Sequence, residues 1–250
     1  MKNFLRAVIK PKNFGVPIWF SYLLWASHIS GAITQRVKLL TFYSFSKRLL
    51  DIVGSLIGII LGFPVLSLVY ILIILDSEGP AVFKQTRLGK NNKLFEMYKF
   101  RTMVINAEEI LKNDPELLKE YQSNSYKVKN DPRVTRVGNF LRKSSMDELP
   151  QLFNILKGEM SIVGPRAYKP DELMTQLRKY PELRSFAEIV IKTKPGLTGL
   201  WQTSGRSNIG FEDRIKLDNR YATTRSLIYD IWLILKTIPA VLKSRGAYEI

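Results

Sequence analysis

The stretch from Ile52 to Leu75, IVGSLIGIILGFPVLSLVYILIIL, carries no charged side chain and constrains the fold of this chain more than any other feature. As a straight α-helix it is roughly 36 Å long, which is enough to cross a hydrocarbon core of about 30 Å. By hydropathy alone, the simplest interpretation is a single transmembrane helix.

Two features favour a different path through the membrane. Pro64 stands in the middle of the stretch, where a proline removes a backbone hydrogen bond and kinks a helix. Basic residues also flank both ends, although the positive-inside rule expects them at one end of a spanning helix. We therefore predict that residues 46–78 form a re-entrant helix–break–helix hairpin that enters and leaves on the same face. The flanking cations are Lys38, Lys47 and Arg48 on one side and Lys84, Arg87, Lys90 and Lys93 on the other.

Three glycines recur at every fourth position of the apolar stretch, at Gly54, Gly58 and Gly62. Small residues at this spacing let two backbones approach closely. The close approach could join two subunits in a homodimer, or it could join the hairpin to its own neighbours. The general abundance of glycine in membrane helices explains the pattern equally well.

Residues 1–45 form an N-terminal extension with a basic start and an apolar middle, as in a signal peptide. Pro17 and His28 dilute the apolar run. A membrane-associated helix with Trp19 and Trp25 at the level of the lipid headgroups is an equally consistent interpretation.

Composition limits the chemistry that this chain can perform. It has 250 residues, a formal net charge of +16 and no cysteine. The absence of cysteine excludes thiol catalysis, zinc thiolates and disulfides. The positive charge predicts an anionic partner, which could be nucleic acid, lipid headgroups or a phosphorylated small molecule.

Residues 79–250 have a mixed α+β pattern, and we predict a cytosolic, α-rich domain with a small β-hairpin. The predicted elements are two strands in Gly79–Met103 around a Gly-Lys-Asn-Asn turn, a helix over Ile105–Tyr121, a turn-rich loop over Lys129–Gly138, a short helix over Leu149–Leu156 that ends before Gly158, and a helix over Ser226–Ala247. The last helix is amphipathic and suits either the core or the membrane interface.

The segment RKSSMDELPQLFN places two adjacent carboxylates, Asp147 and Glu148, after a run of cations. Three interpretations compete. The acids could belong to a capping box that begins at Ser145. They could pair with Arg142 or Lys143 on the surface. Alternatively, one carboxylate could attack a phosphorus atom while the other holds a metal ion.

Cations near predicted turns strengthen the third interpretation. Side chains at such positions can converge on a diphosphate, and Mg²⁺ would screen the repulsion between phosphate and carboxylate. No glycine-rich Walker loop is present to bind phosphate through backbone amides. These cations are Lys99, Arg101, Arg133, Arg136, Arg142, Lys143 and Arg166.

Five ordered segments between residues 46 and 248 resemble one known family, the bacterial sugar transferases, which are monotopic polyprenyl-phosphate phosphoglycosyl transferases. They are KRLLDIVGS, GPAVFKQTRLGKNNKLFEMYKFRTM, NDPRVTRVGNFLRKSSMDELPQLFNILKGEMSIVGPR, KPGLTGLWQTSGR and SLIYDIWLILKT. Matches this long and non-degenerate are very improbable by chance.

The resemblance implies a re-entrant helix broken at a proline and a domain with interfacial helices on the cytoplasmic face of the bacterial inner membrane. It implies that Asp147 attacks a UDP-sugar, releases UMP and passes the sugar phosphate to a polyprenyl phosphate, with Glu148 holding Mg²⁺. Phosphate contacts fall to Lys99, Arg142 and Arg166, in that order. Where the family commonly has a proline after this arginine, the chain has Ala167, which puts the loop at Arg166 in question.

A membrane-anchored adaptor that binds anionic lipid or nucleic acid is the alternative function. Such a protein would have no use for the ordered Asp-Glu segment. We therefore expect a UDP-sugar, polyprenyl phosphate and membrane lipids as partners, and no nucleic acid.

Overall fold

The computed structural model describes residues 18–123, 128, 130–205 and 209–242, with side chains from residue 41 to residue 240 apart from 122 and 123. The chain divides into two compact units, residues 1–46 and 47–250. The elements in chain order are α1 (Ile18–Asp76), β1 (Val82–Leu88), a 3₁₀ turn (Lys90–Asn92), β2 (Leu94–Phe100), α2 (Ala107–Asn113), α3 (Pro115–Ser123), α4 (Arg136–Ser144), a 3₁₀ turn (Met146–Glu148), α5 (Gln151–Lys157), β3 (Ser161–Val163), α6 (Pro170–Lys179), a 3₁₀ turn (Pro181–Leu183), α7 (Arg184–Val190), β4 (Gly196–Thr198), α8 (Leu200–Ser204), α9 (Phe211–Thr224) and α10 (Leu227–Leu242).

The first unit is helical from residue 18 onwards, and Phe42 and Phe45 are exposed. The predictions for residues 1–17, and for the side chains of Trp19, Trp25 and His28, lie outside the described residues. Within the described ranges, Thr41–Asp76 is the one helical segment that is long and apolar enough to cross a membrane.

In the second unit, the apolar stretch packs against the α+β domain on both sides of Pro64. Before Pro64, Asp51 Oδ1 accepts hydrogen bonds from Ser161 Oγ and Ile162 N, each at 2.9 Å. After Pro64, Val69 and Ile73 are buried in a cluster formed with β2 and α4. Helix α1 is continuous through Pro64, so the structure does not confirm the predicted break between two helices.

The residues next to Pro64 face away from the domain. Ile60, Leu61 and Phe63 are all highly exposed, and Leu61 reaches 76%. The apolar stretch therefore contacts the domain with its two flanks and projects its middle outwards.

The glycines of the stretch account for part of this close packing. A Cβ atom on Gly54 would lie 2.6 Å from Ile162 Cδ1, and one on Gly58 would lie 3.2 Å from Leu152 Cδ1. Both glycines thus admit side chains of the chain's own domain. A Cβ on Gly62 would meet only Leu66 of the same helix, at 4.0 Å.

The predicted hairpin is present as the antiparallel pair β1 and β2, in register from Val82 opposite Phe100 to Leu88 opposite Leu94. Asn91 and Asn92 occupy the turn with φ of 58° and 60°. Asparagine tolerates this left-handed region better than most residues. A second sheet joins β3 and β4 in parallel.

Three predicted elements differ from the observed ones. The helix expected over Ile105–Tyr121 is two helices, because Asp114 precedes Pro115 and a residue before proline avoids the helical region. The loop expected to reach Gly138 ends at Thr135, because the side chain of this residue caps α4 by accepting a hydrogen bond from Gly138 N at 2.9 Å. The last helix begins at Leu227, and its predicted end beyond residue 242 lies outside the described part of the chain.

The short helix expected before Gly158 is confirmed as α5. Gly158 ends it with a φ of 83°, the left-handed conformation that favours glycine at a helix C-terminus. The described residues of the domain form four apolar clusters, and α5 belongs to the one that contains Phe95 and Met97 of β2.

Candidate active site

Asp147 and Glu148 lie in a tight reversal between two helices. Helix α4 ends at Ser145, whose φ of 59° is left-handed, and the 3₁₀ turn Met146–Glu148 leads directly towards α5. The Ser145 side chain makes no capping hydrogen bond to this turn, so that half of the capping box, one of the three interpretations of the segment, is not formed. The reversal presents both carboxylates to the end of β2.

Lys99 of β2 is the described partner of both acids. Its Nζ atom lies 2.7 Å from Glu148 Oε1 and 3.5 Å from Asp147 Oδ2. The Asp147 side chain is 14% exposed and that of Glu148 is 33% exposed, so Asp147 is the more deeply set. The structure thus brings together the two acids and Lys99, the cation that the family resemblance ranked first.

The surroundings of Asp147 raise the pKa of its carboxyl group above 3.8. Burial is the largest cause, because it penalises the charged form, and the negative charge of Glu148 adds to it. The charge and hydrogen bond of Lys99 oppose the rise, as does the charge of Arg142. The charges of Lys99 and Arg142 therefore favour the ionised form of Asp147.

Arg142 reaches this place because α4 packs tightly on the chain after β2. A Cβ atom on Gly138 would lie 2.1 Å from the Thr102 carbonyl oxygen, so only glycine permits this approach. Arg142 Nε then donates to Thr102 Oγ1 at 3.0 Å.

Two other predicted cations have structural partners. Arg101 is buried and donates through Nη2 to the carbonyl oxygens of Ser77 at 2.7 Å and Ile73 at 3.3 Å, at the end of α1. Arg133 is buried and pairs with Asp131 through two side-chain hydrogen bonds, at 2.8 and 2.7 Å. The Arg101 guanidinium thus holds the end of α1, and that of Arg133 is paired with a neighbouring acid.

Arg136 stands at the first position of α4 and is exposed. Lys143, in the last turn of the same helix, is also exposed. Neither side chain shares the deep position of Lys99.

Arg166 belongs to a second group of cations and aromatic residues. Its guanidinium carbon lies 5.1 Å from the ring centre of Trp201, and that of Arg214 lies 5.2 Å from the same centre. Burial lowers the pKa of Arg214, and the charge of Arg166 lowers it further. Two acids accompany these guanidinium groups, since Glu172 Oε1 lies 3.8 Å from Arg214 Nη1 and Asp218 accepts a hydrogen bond from Arg166 N.

The loop that carries Arg166 is firmly tied despite Ala167. Gly164 N donates to Thr198 O at 2.9 Å, and Gly196 N donates to Pro165 O at 2.8 Å. The Ala167 carbonyl accepts a hydrogen bond from Arg87 Nη1 at 2.8 Å. These bonds hold the loop without the family's proline.

Asp218 is a buried acid that the sequence did not single out. Its Oδ2 atom accepts hydrogen bonds from Tyr168 Oη at 2.8 Å and from Arg166 N at 3.1 Å. Burial raises the pKa of Asp218 to about 7, against the opposing effects of these bonds and of the Arg166 and Arg214 charges. Its only sequence signal is one charge among the apolar positions of α9, which is too common to be specific.

The described residues contain no group of three or more histidine, cysteine or acidic side chains that could enclose a metal ion. Mg²⁺ commonly takes only one or two protein carboxylates and completes its shell with water and substrate phosphate. Asp147 and Glu148 supply two adjacent carboxylates, and Glu148 is open to solvent. The donor set therefore fits a magnesium ion that arrives with a phosphorylated substrate.

The Asp147–Glu148–Lys99 cluster lies beside a helix that is long and apolar enough to cross a membrane, because Met146 and Leu149 pack in one cluster with Val69 and Ile73 of α1. Residues 42–244 match the family described as Bacterial sugar transferase, and the chain belongs to this family.

The chain is also similar to several bacterial proteins whose names state a function, and three of them are informative. An undecaprenyl-phosphate galactose phosphotransferase of Salmonella typhimurium is 39% identical over 99% of this chain and 52% of its own length. A UDP-glucose:undecaprenyl-phosphate glucose-1-phosphate transferase of Escherichia coli is 36% identical over 81% of this chain and 41% of its own length. The exopolysaccharide production protein ExoY of Sinorhizobium fredii is 42% identical over 81% of this chain and 88% of its own length. The chain thus spans about half the length of the first of these relatives.

Proposed function

We propose that this protein transfers a sugar-1-phosphate from a UDP-sugar to undecaprenyl or another polyprenyl phosphate and releases UMP. The observation that carries the proposal is the contact of one ammonium group, that of Lys99, with both Asp147 and Glu148 in a member of the bacterial sugar transferase family. The relatives' names supply the donor and acceptor classes. The product begins an envelope polysaccharide or glycoconjugate such as a capsule, lipopolysaccharide or exopolysaccharide.

In the first step, a carboxylate oxygen of Asp147 attacks the phosphorus atom next to the sugar. A new oxygen–phosphorus bond forms, the bond from that phosphorus to the bridging oxygen breaks, and UMP leaves with the bridging oxygen. Asp147 must be ionised to attack, and its neighbours Lys99 and Arg142 favour the ionised form. Both cations can also neutralise charge that develops on the phosphate oxygens.

In the second step, a phosphate oxygen of the polyprenyl phosphate attacks the same phosphorus atom. The bond to Asp147 breaks, and the carboxylate is regenerated beside Lys99. The product is a sugar joined to the lipid by a diphosphate. Because a covalent intermediate separates the two steps, the water-soluble donor and the lipid acceptor need not bind together.

Glu148 and Asp147 are the residues that would hold Mg²⁺. The ion would neutralise phosphate charge and stabilise the departing UMP. A metal ion could reach Glu148 from solvent, since a third of its side chain is exposed.

We further propose that the apolar stretch enters and leaves the membrane on the cytoplasmic face. Support comes from contacts of the α+β domain with Asp51 before Pro64 and with Val69 and Ile73 after it. A helix that crossed the bilayer would carry one of these contact sets, and the polar backbone attached to it, into hydrocarbon. A membrane-impermeant maleimide should therefore label Phe45→Cys and Pro80→Cys from the same side. Labelling from opposite sides would establish a spanning helix.

The proposed reaction is tested by incubating the purified protein with a UDP-sugar and Mg²⁺ without a lipid acceptor. We expect a mass increase of one sugar phosphate on the peptide that contains Asp147, together with one equivalent of UMP. Asp147→Asn should abolish both signals, whereas Asp171→Asn, which changes an exposed acid of α6, should retain them. Normal turnover in Asp147→Asn would falsify the covalent mechanism.

The donor sugar is found by scoring UMP release over a panel of UDP-sugars with polyprenyl phosphate present. The panel should contain UDP-galactose and UDP-glucose, which match the names of the relatives, and N-acetylated and diamino sugars. We expect one donor to exceed the others in kcat/KM. Failure of every UDP-sugar to release UMP would exclude the proposed reaction.

A further inference from the structure

Asn154 of α5 is a fully buried carboxamide, with 0% exposure. Burying such a group is unfavourable unless its hydrogen bonds are made. Its Oδ1 atom accepts from Tyr98 N at 2.9 Å, and its Nδ2 atom donates to Glu96 O and to Glu159 Oε2, each at 2.7 Å. Each polar atom of the side chain thus has a partner, and two of the three partners are backbone groups of β2.

These two backbone groups lie on the outer edge of β2. Among the residues that the structure describes, this sheet has two strands, and no third strand pairs with the edge of β2 that faces away from β1. An open edge presents N–H and C=O groups that need partners. The Asn154 amide offers a donor and an acceptor side by side and bonds on either side of Met97, as a residue of a neighbouring parallel strand would. The Asn154 side chain therefore makes the two hydrogen bonds that one residue of a neighbouring strand would make.

The amide links the two segments that form the candidate active site. Lys99 follows Tyr98 directly along β2. The acids belong to the 3₁₀ turn Met146–Glu148, which Leu149 and Pro150 join to α5. A shift of β2 along α5 would change the separation of Lys99 Nζ from Asp147 and Glu148, which is now 3.5 and 2.7 Å.

We infer that Asn154 is a positioning residue, which fixes the register of β2 against α5 and thereby sets the distance from Lys99 to the Asp147–Glu148 pair. The inference rests on the proposed function, because it concerns the step in which Asp147 attacks. Misplacing a reacting group by about 1 Å can cost roughly 100-fold in rate even when the change lies away from the chemistry.

Apolar packing also joins these segments, since Leu152 and Ile155 of α5 contact Phe95 and Met97 of β2. A purely structural role for Asn154 would lower stability and leave the chemistry of the folded protein unchanged. The test therefore needs readouts that stability alone does not move.

The experiment measures UMP release against pH in Asn154→Ala, in Lys99→Met and in the double variant. We expect Asn154→Ala to lower kcat by roughly 10- to 100-fold. The acidic limb of its pH profile should move upwards in the same direction as that of Lys99→Met, because Asp147 loses part of its contact with Lys99 while Glu148 and Arg142 stay. In the Lys99→Met background, Asn154→Ala should cost less than about threefold more, since residues that act through one another are not additive.

Tyr221→Phe is the matched control. Tyr221 is also fully buried, and its hydroxyl lies 3.0 Å from Val163 O and 2.6 Å from Asp230 Oδ1, neither of which belongs to β2 or α5. It should lower the thermal midpoint of unfolding without moving the acidic limb. If Asn154→Ala does not fold, Asn154→Gln keeps the carboxamide but displaces it by one methylene and should show the same shift of the acidic limb.

Additive losses in the double variant, or an unmoved acidic limb in the folded Asn154 variants, would overturn the inference. The proposed function has a separate readout, the release of UMP by the unmodified protein. If the unmodified protein releases UMP and the Asn154 variants keep its pH profile, the positioning role alone is wrong. If the unmodified protein releases none, the proposed function is wrong.

Discussion

Lys99 lies closer to Glu148 than to Asp147, by 2.7 Å against 3.5 Å, although Asp147 is the proposed nucleophile. The ammonium group of Lys99 is therefore shared between the proposed nucleophile Asp147 and its neighbour Glu148. Removing the charge of Lys99 and removing the charge of Glu148 should therefore shift the pKa of Asp147 in opposite directions.

Lys99→Met should move the acidic limb of activity to higher pH. Lys99 lowers the pKa of Asp147, so its loss lets burial and Glu148 raise that pKa further, and a larger share of the protein is protonated and inactive at a given acidic pH. We also expect kcat/KM to fall by roughly 100- to 1,000-fold, as when a charge-stabilising donor is removed. Steady-state UMP release between pH 5 and 9 measures both effects. Lys84→Met, on the exposed face of β1, should behave as the unmodified protein.

Glu148→Gln should move the acidic limb to lower pH. The negative charge of Glu148 raises the pKa of Asp147, and its loss also frees Lys99 to approach Asp147. The Mg²⁺ concentration for half-maximal activity should rise, because one carboxylate ligand is gone. Titrations of Mg²⁺ at several pH values separate the two effects. An unchanged Mg²⁺ requirement would remove Glu148 from the metal site.

Arg101→Lys should act on stability and leave substrate binding intact. The guanidinium group donates to carbonyl oxygens of Ile73, Ser77 and Glu78, and lysine cannot reproduce this fork. Losing such hydrogen bonds costs about 1.5–3 kcal/mol of unfolding free energy. We expect a lower thermal midpoint in detergent and an unchanged KM for the UDP-sugar. Raised KM with an unchanged midpoint would instead identify Arg101 as a phosphate ligand.

Asp218→Asn should flatten the pH dependence of stability. The pKa of Asp218 is about 7 in the folded protein and 3.8 without the surrounding protein, so between these values the folded state binds a proton that the unfolded state has lost. This contribution to stability is fully present below pH 3.8 and is lost as the pH rises through about 7. The thermal midpoint of the unmodified protein should therefore fall more than that of Asp218→Asn between pH 5 and 8. Parallel curves would show that Asp218 keeps an ordinary pKa.

Helix α10 should lie in the lipid interface with its exposed apolar side. Ile228 is 82% exposed, Leu235 is 60% exposed, and Trp232 on the same side has Lys236 Nζ 4.7 Å from its ring centre. An apolar stripe edged by tryptophan and lysine suits the headgroup boundary. Because the chain has no cysteine, Ile228→Cys takes a single environment-sensitive dye.

We expect the dye at position 228 to shift to the blue on reconstitution into vesicles of anionic lipid. Lys216→Cys, at an exposed position of α9, is the control and should keep the spectrum of an aqueous dye. Identical spectra at the two positions would leave α10 outside the membrane.

Local patterns in the sequence predicted the parts of the fold that depend on neighbouring residues. The Gly-Lys-Asn-Asn turn predicted the β1–β2 hairpin, and Gly158 predicted the end of α5. The family resemblance gave Asp147, Glu148 and Lys99 their expected roles in the site. The structure places these three residues together.

What the sequence did not reveal depends on partners far along the chain. Arg101 and Arg133 look like free cations until the carbonyl groups of α1 and the side chain of Asp131 are placed beside them. Asn154 is one polar residue in a short apolar helix. Its role becomes visible only when its hydrogen bonds to the edge of β2 are seen. Ser145 matches a capping box but adopts the left-handed conformation, because α4 ends there.

The contacts of the α+β domain on both sides of Pro64 limit how α1 can move. A simple membrane helix answers a thicker or thinner bilayer by changing its tilt. Here Asp51 is bonded to β3 and Ile73 is packed against β2, so such rotation would break contacts in the domain. In the proposed re-entrant arrangement the surrounding lipid must deform instead, so the acyl chain length of the membrane should change how deeply the Asp147–Glu148 pair lies at the bilayer surface.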